Sequence, residues 1–194
     1  MNGRLESAAD HLRKGGVAAF PTDTVTGLGC WAFSREGVES IFRIKGREPG
    51  KPLILFFQDL AAVEASVGDI PEQVRRILQA CWPGSLTAIL KWGRELPAGL
   101  GIDGNIGIRV PAHPIPRKLA EMVGGPLATT SANSAGQPPM RRAEECAALD
   151  PAIHVIGGES GSVPSTVADF TCSPARVLRE GAIPAWVLGE IAGE

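Results

Sequence analysis

Two short stretches of this chain carry residue types suited to a charged ligand. Pro21-Thr22-Asp23-Thr24 directly follows the apolar run Val17 to Phe20, so a proline of fixed φ is succeeded by three short oxygen-bearing side chains. Hydroxyls delivered to a strand end lie where open α/β sheets bind ligands. Further on, Arg43, Lys45, Arg47 and Lys51 fall around Gly46, Pro49 and Gly50, where a helical pattern gives way to a loop. Guanidinium and ammonium groups there suit a polyphosphate. The same pattern also describes a solvated basic helix end favoured by the helix dipole, and charge alone does not separate the two. A third stretch, Thr129-Thr130-Ser131-Ala132-Asn133-Ser134, follows the apolar piece Pro126 to Ala128. By itself it is turn chemistry and reads as a loop. Arg109 is out of phase with Ile106, Ile108 and Val110, so it faces the opposite side of that strand, either solvent or a site.

Other chemistries find little support. The chain has no Walker lysine motif, no H-E-x-x-H and no G-x-S-x-G. Gly27-Leu28-Gly29 lacks the third glycine, the helix opening and the acidic ribose ligand of a dinucleotide site. His11, His113 and His154 share no motif and read as surface or structural residues. Cys30, Cys81, Cys146 and Cys172 form no C-x-x-C and have no nearby histidine pair, which argues against zinc or a disulfide framework and for reduced cytoplasmic thiols. No apolar run has signal-peptide or membrane-spanning character. With a formal net charge of −2, binding to a nucleotide or nucleic acid must come from a local basic patch.

The elements that must position these residues follow from periodicity. At 194 residues, 44% hydrophobic, the chain suits one domain over residues 1–194. Its 24 glycines and 16 prolines sit between apolar runs and mark turns. Leu5, Ala8, Ala9 and Leu12 form a helical stripe that Gly15-Gly16 ends. Val17 to Phe20 reads as a strand, Ser34 as the N-cap of a helix reaching about Ile44, and Leu53 to Phe57 as a strand buried on both faces. Asp69-Ile70-Pro71-Glu72 resembles a capped helix start, with Val74, Ile77, Leu78 and Cys81 inward. Strands are expected at Leu86 to Leu90, Ile106 to Val110, Ile153 to Ile156, Thr166 to Phe170 and Arg176 to Leu178. Helices are expected from Pro114 to Gly124 and from Pro184. Partial alternation of the two predicts α/β architecture with a twisted mixed parallel/antiparallel sheet and packed helices.

Seven motifs, taken together in order and spacing, resemble the YrdC-like threonylcarbamoyl-adenylate synthases. They are Pro21 to Gly29; Lys45-Gly46-Arg47 with Lys51-Pro52-Leu53; Trp82-Pro83-Gly84 with Leu86-Thr87; Ile108 to Pro111; Ser131-Ala132-Asn133 with Gly136; Ser165-Thr166-Val167; and Leu178 to Gly181. The resemblance covers nearly the whole chain and matches the single-domain form. It implies a large concave basic cavity and an enzyme making threonylcarbamoyl-AMP and pyrophosphate from L-threonine, bicarbonate and ATP, with Mg2+ on the triphosphate. Downstream threonylcarbamoyl-transferase proteins would then modify tRNA. Related readings are an RNA-binding module of the same fold, touching tRNA or double-stranded RNA, and a paralogous carbamoyl-transfer enzyme.

Position by position, the resemblance makes Lys45, Arg47 and Lys51 the cations on the ATP phosphates, the first two catalytic. It makes Asn105, Ser131, Asn133 and Arg179 further ATP contacts, and Thr24, Arg109, Thr129 and Ser165 the threonine pocket. Four positions depart from the family's usual pattern: Thr26 replaces an aromatic, Ala135 a serine, Phe56 a more polar residue and Pro139 a serine found in some relatives.

Overall fold

The apolar stripe Leu5, Ala8, Ala9 and Leu12 is buried along α1 (Asn2–Arg13), and Gly15, at φ 84°, turns the chain into β1 (Ala18–Phe20). The protein is seen as a computed structural model that describes residues 2–46, 52–93, 100–134 and 136–192. After β2 (Gly27–Trp31), Ser34 caps α2 (Arg35–Lys45) by accepting from the Gly37 N–H, and Gly46 closes it in the left-handed conformation. Both helix-end signals thus act as their chemistry requires.

β3 (Ile54–Phe56) is shorter than its apolar run. It is followed by α3 (Leu60–Val67), which periodicity does not reveal because nearly every residue in it is apolar. Asp59 caps α3 through the Ala62 N–H. Asp69 does not cap the next helix, α4 (Glu72–Cys81), which starts after Pro71 with no side-chain cap. Then come β4 (Leu86–Lys91), β5 (Asn105–Arg109), α5 (Pro114–Val123), β6 (Leu127–Ser131), a 3-10 helix (Ala143–Ala148), β7 (His154–Val155), β8 (Thr166–Asp169), β9 (Arg176–Arg179) and α6 (Ala185–Ala192).

The strands form one mixed sheet in the order β7-β1-β2-β6-β3-β5-β4-β8-β9. β1/β7, β3/β5 and β4/β8 are parallel and the remaining neighbours antiparallel. The sequence reading of Thr129 to Ser131 as loop is corrected here. These residues lie inside β6, where antiparallel ladders on both sides, to β2 and β3, outweigh their turn preference.

The two faces of the sheet are covered unequally. One face carries Leu28, Cys30, Leu55, Ala88, Ile106, Ile108 and Ala128, packed into the larger core with Val38 and Ile41 of α2, Val63 of α3, Leu78 of α4, Cys146 of the 3-10 helix and Leu188 of α6. On the other face, α1 and α5 seal only part of the sheet, burying Ala18, Phe20, Phe56 and Leu127 against Leu12 and Leu119. Gly27 and Gly29 admit the Phe20 ring; a Cβ at Gly29 would stand 2.8 Å from it. The rest of this face, over β4, β5 and β8, has no helix upon it among the described residues.

Candidate active site

That uncovered face is the floor of a cavity of about 330 Å³. β4 contributes Thr87 and Ile89, β5 Gly107 and Arg109, and β6 Thr129 to Ser131; Val167 and Arg179 close the floor on the side of β8 and β9. Most are alternate residues whose neighbours face the larger core, so the period-2 rule of strands separates site from core. Ile54 and Phe56 form an apolar wall, and Thr24 to Thr26, Pro139, Pro164 and Ser165 make the rim.

Arg109 anchors one end. It is 2% exposed, and its guanidinium donates from Nε to the Gly84 carbonyl at 2.9 Å, from Nη1 to Thr24 Oγ1 at 2.7 Å and from Nη2 to Asp23 Oδ2 at 2.7 Å. Its carbon lies 5.5 Å from the centre of the Phe56 ring, a cation–π distance. Asp23 also accepts from Ser85 Oγ at 3.0 Å and from the Ala112 N–H at 3.1 Å. One carboxylate therefore ties three chain segments together. Burial lowers the Arg109 pKa, Asp23 opposes this, and Arg179 lowers it further; a guanidinium stays charged throughout. The face that β5's phase left undecided is therefore the wall of a cavity and not open solvent.

The Thr22–Thr26 turn is held from beneath. Ser160 Oγ accepts from the Thr22 N–H at 3.1 Å and lies 2.9 Å from Thr26 Oγ1. On the opposite side, Thr87 Oγ1 and Ser165 Oγ are 2.9 Å apart. Arg179 Nη2 donates to the Ser165 carbonyl at 2.9 Å and to its Oγ at 3.2 Å. Beyond β6, Ser131 Oγ donates to Asn133 Oδ1 at 2.8 Å. Lys45, 3% exposed at the end of α2, donates from Nζ to the Ser131 carbonyl at 2.7 Å and to Asn133 Oδ1.

The structure thus brings Thr24, Arg109, Thr129, Ser165, Ser131 and Arg179 to one cavity. Lys45 and Asn133 sit behind Ser131, bonded to each other and to it. Asn105 begins β5 on the same face as Gly107 and Arg109 but at the far end of the strand, outside the cavity lining. Arg47, Lys51 and the departure at Ala135 lie outside the described residues. Of the other departures, Thr26, Phe56 and Pro139 all line the cavity; Phe56 supplies an aromatic wall where Thr26 cannot. Sequence reasoning singled out Asp23 only with its stretch, without its role as the partner of Arg109, and missed Ser160. The only signal for Asp23 was its place between two threonines after a proline, and for Ser160 there was none, because its partners are more than a hundred residues away.

The Sua5_yciO_yrdC family model, described as telomere recombination, matches residues 10–181. The chain belongs to this family. It is 41% identical over 183 residues to the threonylcarbamoyl-AMP synthase of Stenotrophomonas maltophilia, covering 90% of this chain and 97% of that protein. Among solved family structures, the Pyrococcus abyssi Sua5 complexed with L-threonine superimposes on all of this chain with a TM-score of 0.91 at 34% identity; the chain spans 58% of that longer protein. Escherichia coli YciO, of similar size, gives a TM-score of 0.85 at 32% identity, covering 95% of this chain and 92% of that one. The mixed sheet is therefore the Sua5/YciO/YrdC fold.

Proposed function

We propose that this chain is a threonylcarbamoyl-AMP synthase, condensing L-threonine, bicarbonate and ATP into threonylcarbamoyl-AMP and pyrophosphate for tRNA modification by downstream transferase proteins. One observation carries the reading: hydroxyls and a fixed, buried guanidinium converge on one cavity in a chain whose relatives bear that activity by name. Arg109 would bind the amino-acid carboxylate through a charge-assisted pair, with Thr24, Thr129 and Ser165 orienting the amine and side chain. The amine and bicarbonate give a carbamate and water, and a carbamate oxygen then displaces pyrophosphate from the α-phosphorus of ATP. Such a step depends on positioning and on neutralising charge. Ser131 and Arg179 would face the nucleotide, with Lys45 and Asn133 supporting Ser131. For Arg47, Lys51 and Asn105, nucleotide roles rest on their sequence positions.

Among the described residues no three carboxylate, histidine or cysteine side chains cluster to hold a metal ion. Magnesium would enter with the Mg–ATP substrate, bound through its phosphates. No helix among the described residues is long and apolar enough to cross a membrane.

Pyrophosphate release by the purified protein with Mg–ATP, measured with and without L-threonine and bicarbonate, tests the reading. Release that requires both, with the adenylate confirmed by mass, is the expected result. Release indifferent to threonine would overturn it.

A further inference from the structure

The turn below Arg109 fixes the direction of one hydroxyl proton. A threonine hydroxyl has one proton and two lone pairs. Thr22 Oγ1 donates its proton to the Val25 carbonyl at 2.7 Å and accepts from the Thr24 N–H at 3.0 Å. The 3.1 Å contact between Thr22 Oγ1 and Thr24 Oγ1 must then use the proton of Thr24, since that of Thr22 is already placed. Thr24 Oγ1 also accepts from Arg109 Nη1 at 2.7 Å. Thr22 and Thr24 are each 2% exposed, so bulk water does not compete for these bonds. What Thr24 offers the cavity it lines is therefore a lone pair and no donor.

We propose that Thr22 is a positioning residue for carbamate formation: by holding the Thr24 proton, it makes Thr24 an acceptor-only contact that takes an N–H of the substrate amine and leaves the nitrogen lone pair free. This inference rests on the proposed function and deepens it. A carboxylate on Arg109 carries its α-nitrogen two bonds from the carboxylate carbon, within reach of the acceptor beside the guanidinium. In the step itself, the lone pair of the neutral amine forms the N–C bond to bicarbonate. The C–OH bond breaks, and the hydroxyl leaves with a proton from nitrogen as water; nothing is oxidised or reduced. A hydroxyl free to donate would bind that lone pair and oppose the bond being made.

Thr22→Val keeps the shape and removes the hydroxyl, whereas Thr22→Ser keeps the hydroxyl. L-threonine affinity by calorimetry, kcat from pyrophosphate release at saturating substrates and thermal unfolding are measured on both variants and on the wild type. T22V should lose about tenfold to a hundredfold in kcat while its L-threonine Kd stays within about threefold, a split that a structural role would not give. T22S should turn over like the wild type. Unchanged kcat in T22V, an equal kcat loss in T22S, or a loss confined to Kd would each overturn the assignment. Should T22V fail to fold, Thr22→Cys, whose sulfur is a weak acceptor for the Thr24 proton, takes its place with the same split expected. A wild type that binds no L-threonine overturns the proposed function, and this inference with it; one that binds and turns over while T22V is unaffected overturns the inference alone.

Discussion

Arg109 Nη2 stands 2.7 Å from Asp23 Oδ2, joining the last residue of β5 to the turn after β1. Their side chains are 2% and 17% exposed, so the guanidinium depends on this carboxylate more than the reverse. Asp23→Ala should destabilise the protein by about 2–4 kcal/mol, somewhat below the usual cost of orphaning a fully dry charge. Urea denaturation with an unchanged m-value checks it.

Arg109→Lys keeps the charge but not the fork. A lysine has no fixed planar array to reach Gly84, Thr24 and Asp23 together, so L-threonine affinity should fall about tenfold or more. Calorimetry reads this directly; wild-type affinity in R109K would remove Arg109 from the carboxylate contact.

Lys45 acts on Ser131 and Asn133 from behind the cavity. Lys45→Ala removes the ammonium that both the Ser131 carbonyl and Asn133 Oδ1 accept from, and turnover should drop about a hundredfold as the segment loses its placement. Steady-state pyrophosphate release at varied ATP measures the effect, and near-normal turnover would show that Lys45 has no such part.

Gly107 keeps the cavity floor low. A Cβ there would meet Ile54 Cγ2 at 2.9 Å and Thr87 Cγ2 at 3.4 Å, and Ile54 is branched at Cβ and cannot swing aside cheaply. Gly107→Ala should cost about 1–3 kcal/mol and push Ile54 toward the ligand space, weakening ligand binding as well. Denaturation and L-threonine titration of the same variant separate the two effects.

His113 caps α5 as an acceptor, its Nδ1 receiving the Ile115 N–H at 3.2 Å, which requires the neutral ring. Burial pulls its pKa below the ordinary 6.5, with Asp23 opposing. A lowered value means that its contribution is complete above about pH 6.5 and is lost as pH falls through the folded value. His154, lowered by burial and then by His11, adds to the same slope. His113→Asn can cap without titrating, so the fall in stability between about pH 7 and pH 5 should become shallower.

Features carried by local rules were legible in the sequence. The α1 stripe, the Ser34 cap, the α5 boundaries and the phase of Arg109 all needed only nearby residues. What escaped depends on distant ones. α3 is short, with three alanines spread around it, and showed no period. Asp59 caps, and Asp69 does not, because of where α3 and α4 begin. The β6 hydroxyls read as a loop until two neighbouring strands claimed their backbone. His11 and His154 share no motif yet have ring centres 5.6 Å apart, and Asp23 gained its meaning only when β5 arrived beside it.

The interleaving of cavity floor and core along β4, β5 and β6 also determines how this protein can change. Thr87, Ile89 and Thr129 can be varied as a combinatorial library while Ala88, Ile106, Ile108 and Ala128 hold the fold. Inserting or deleting one residue in these strands would instead exchange the two sets. Ligand preference is thus open to point substitution and closed to changes of length.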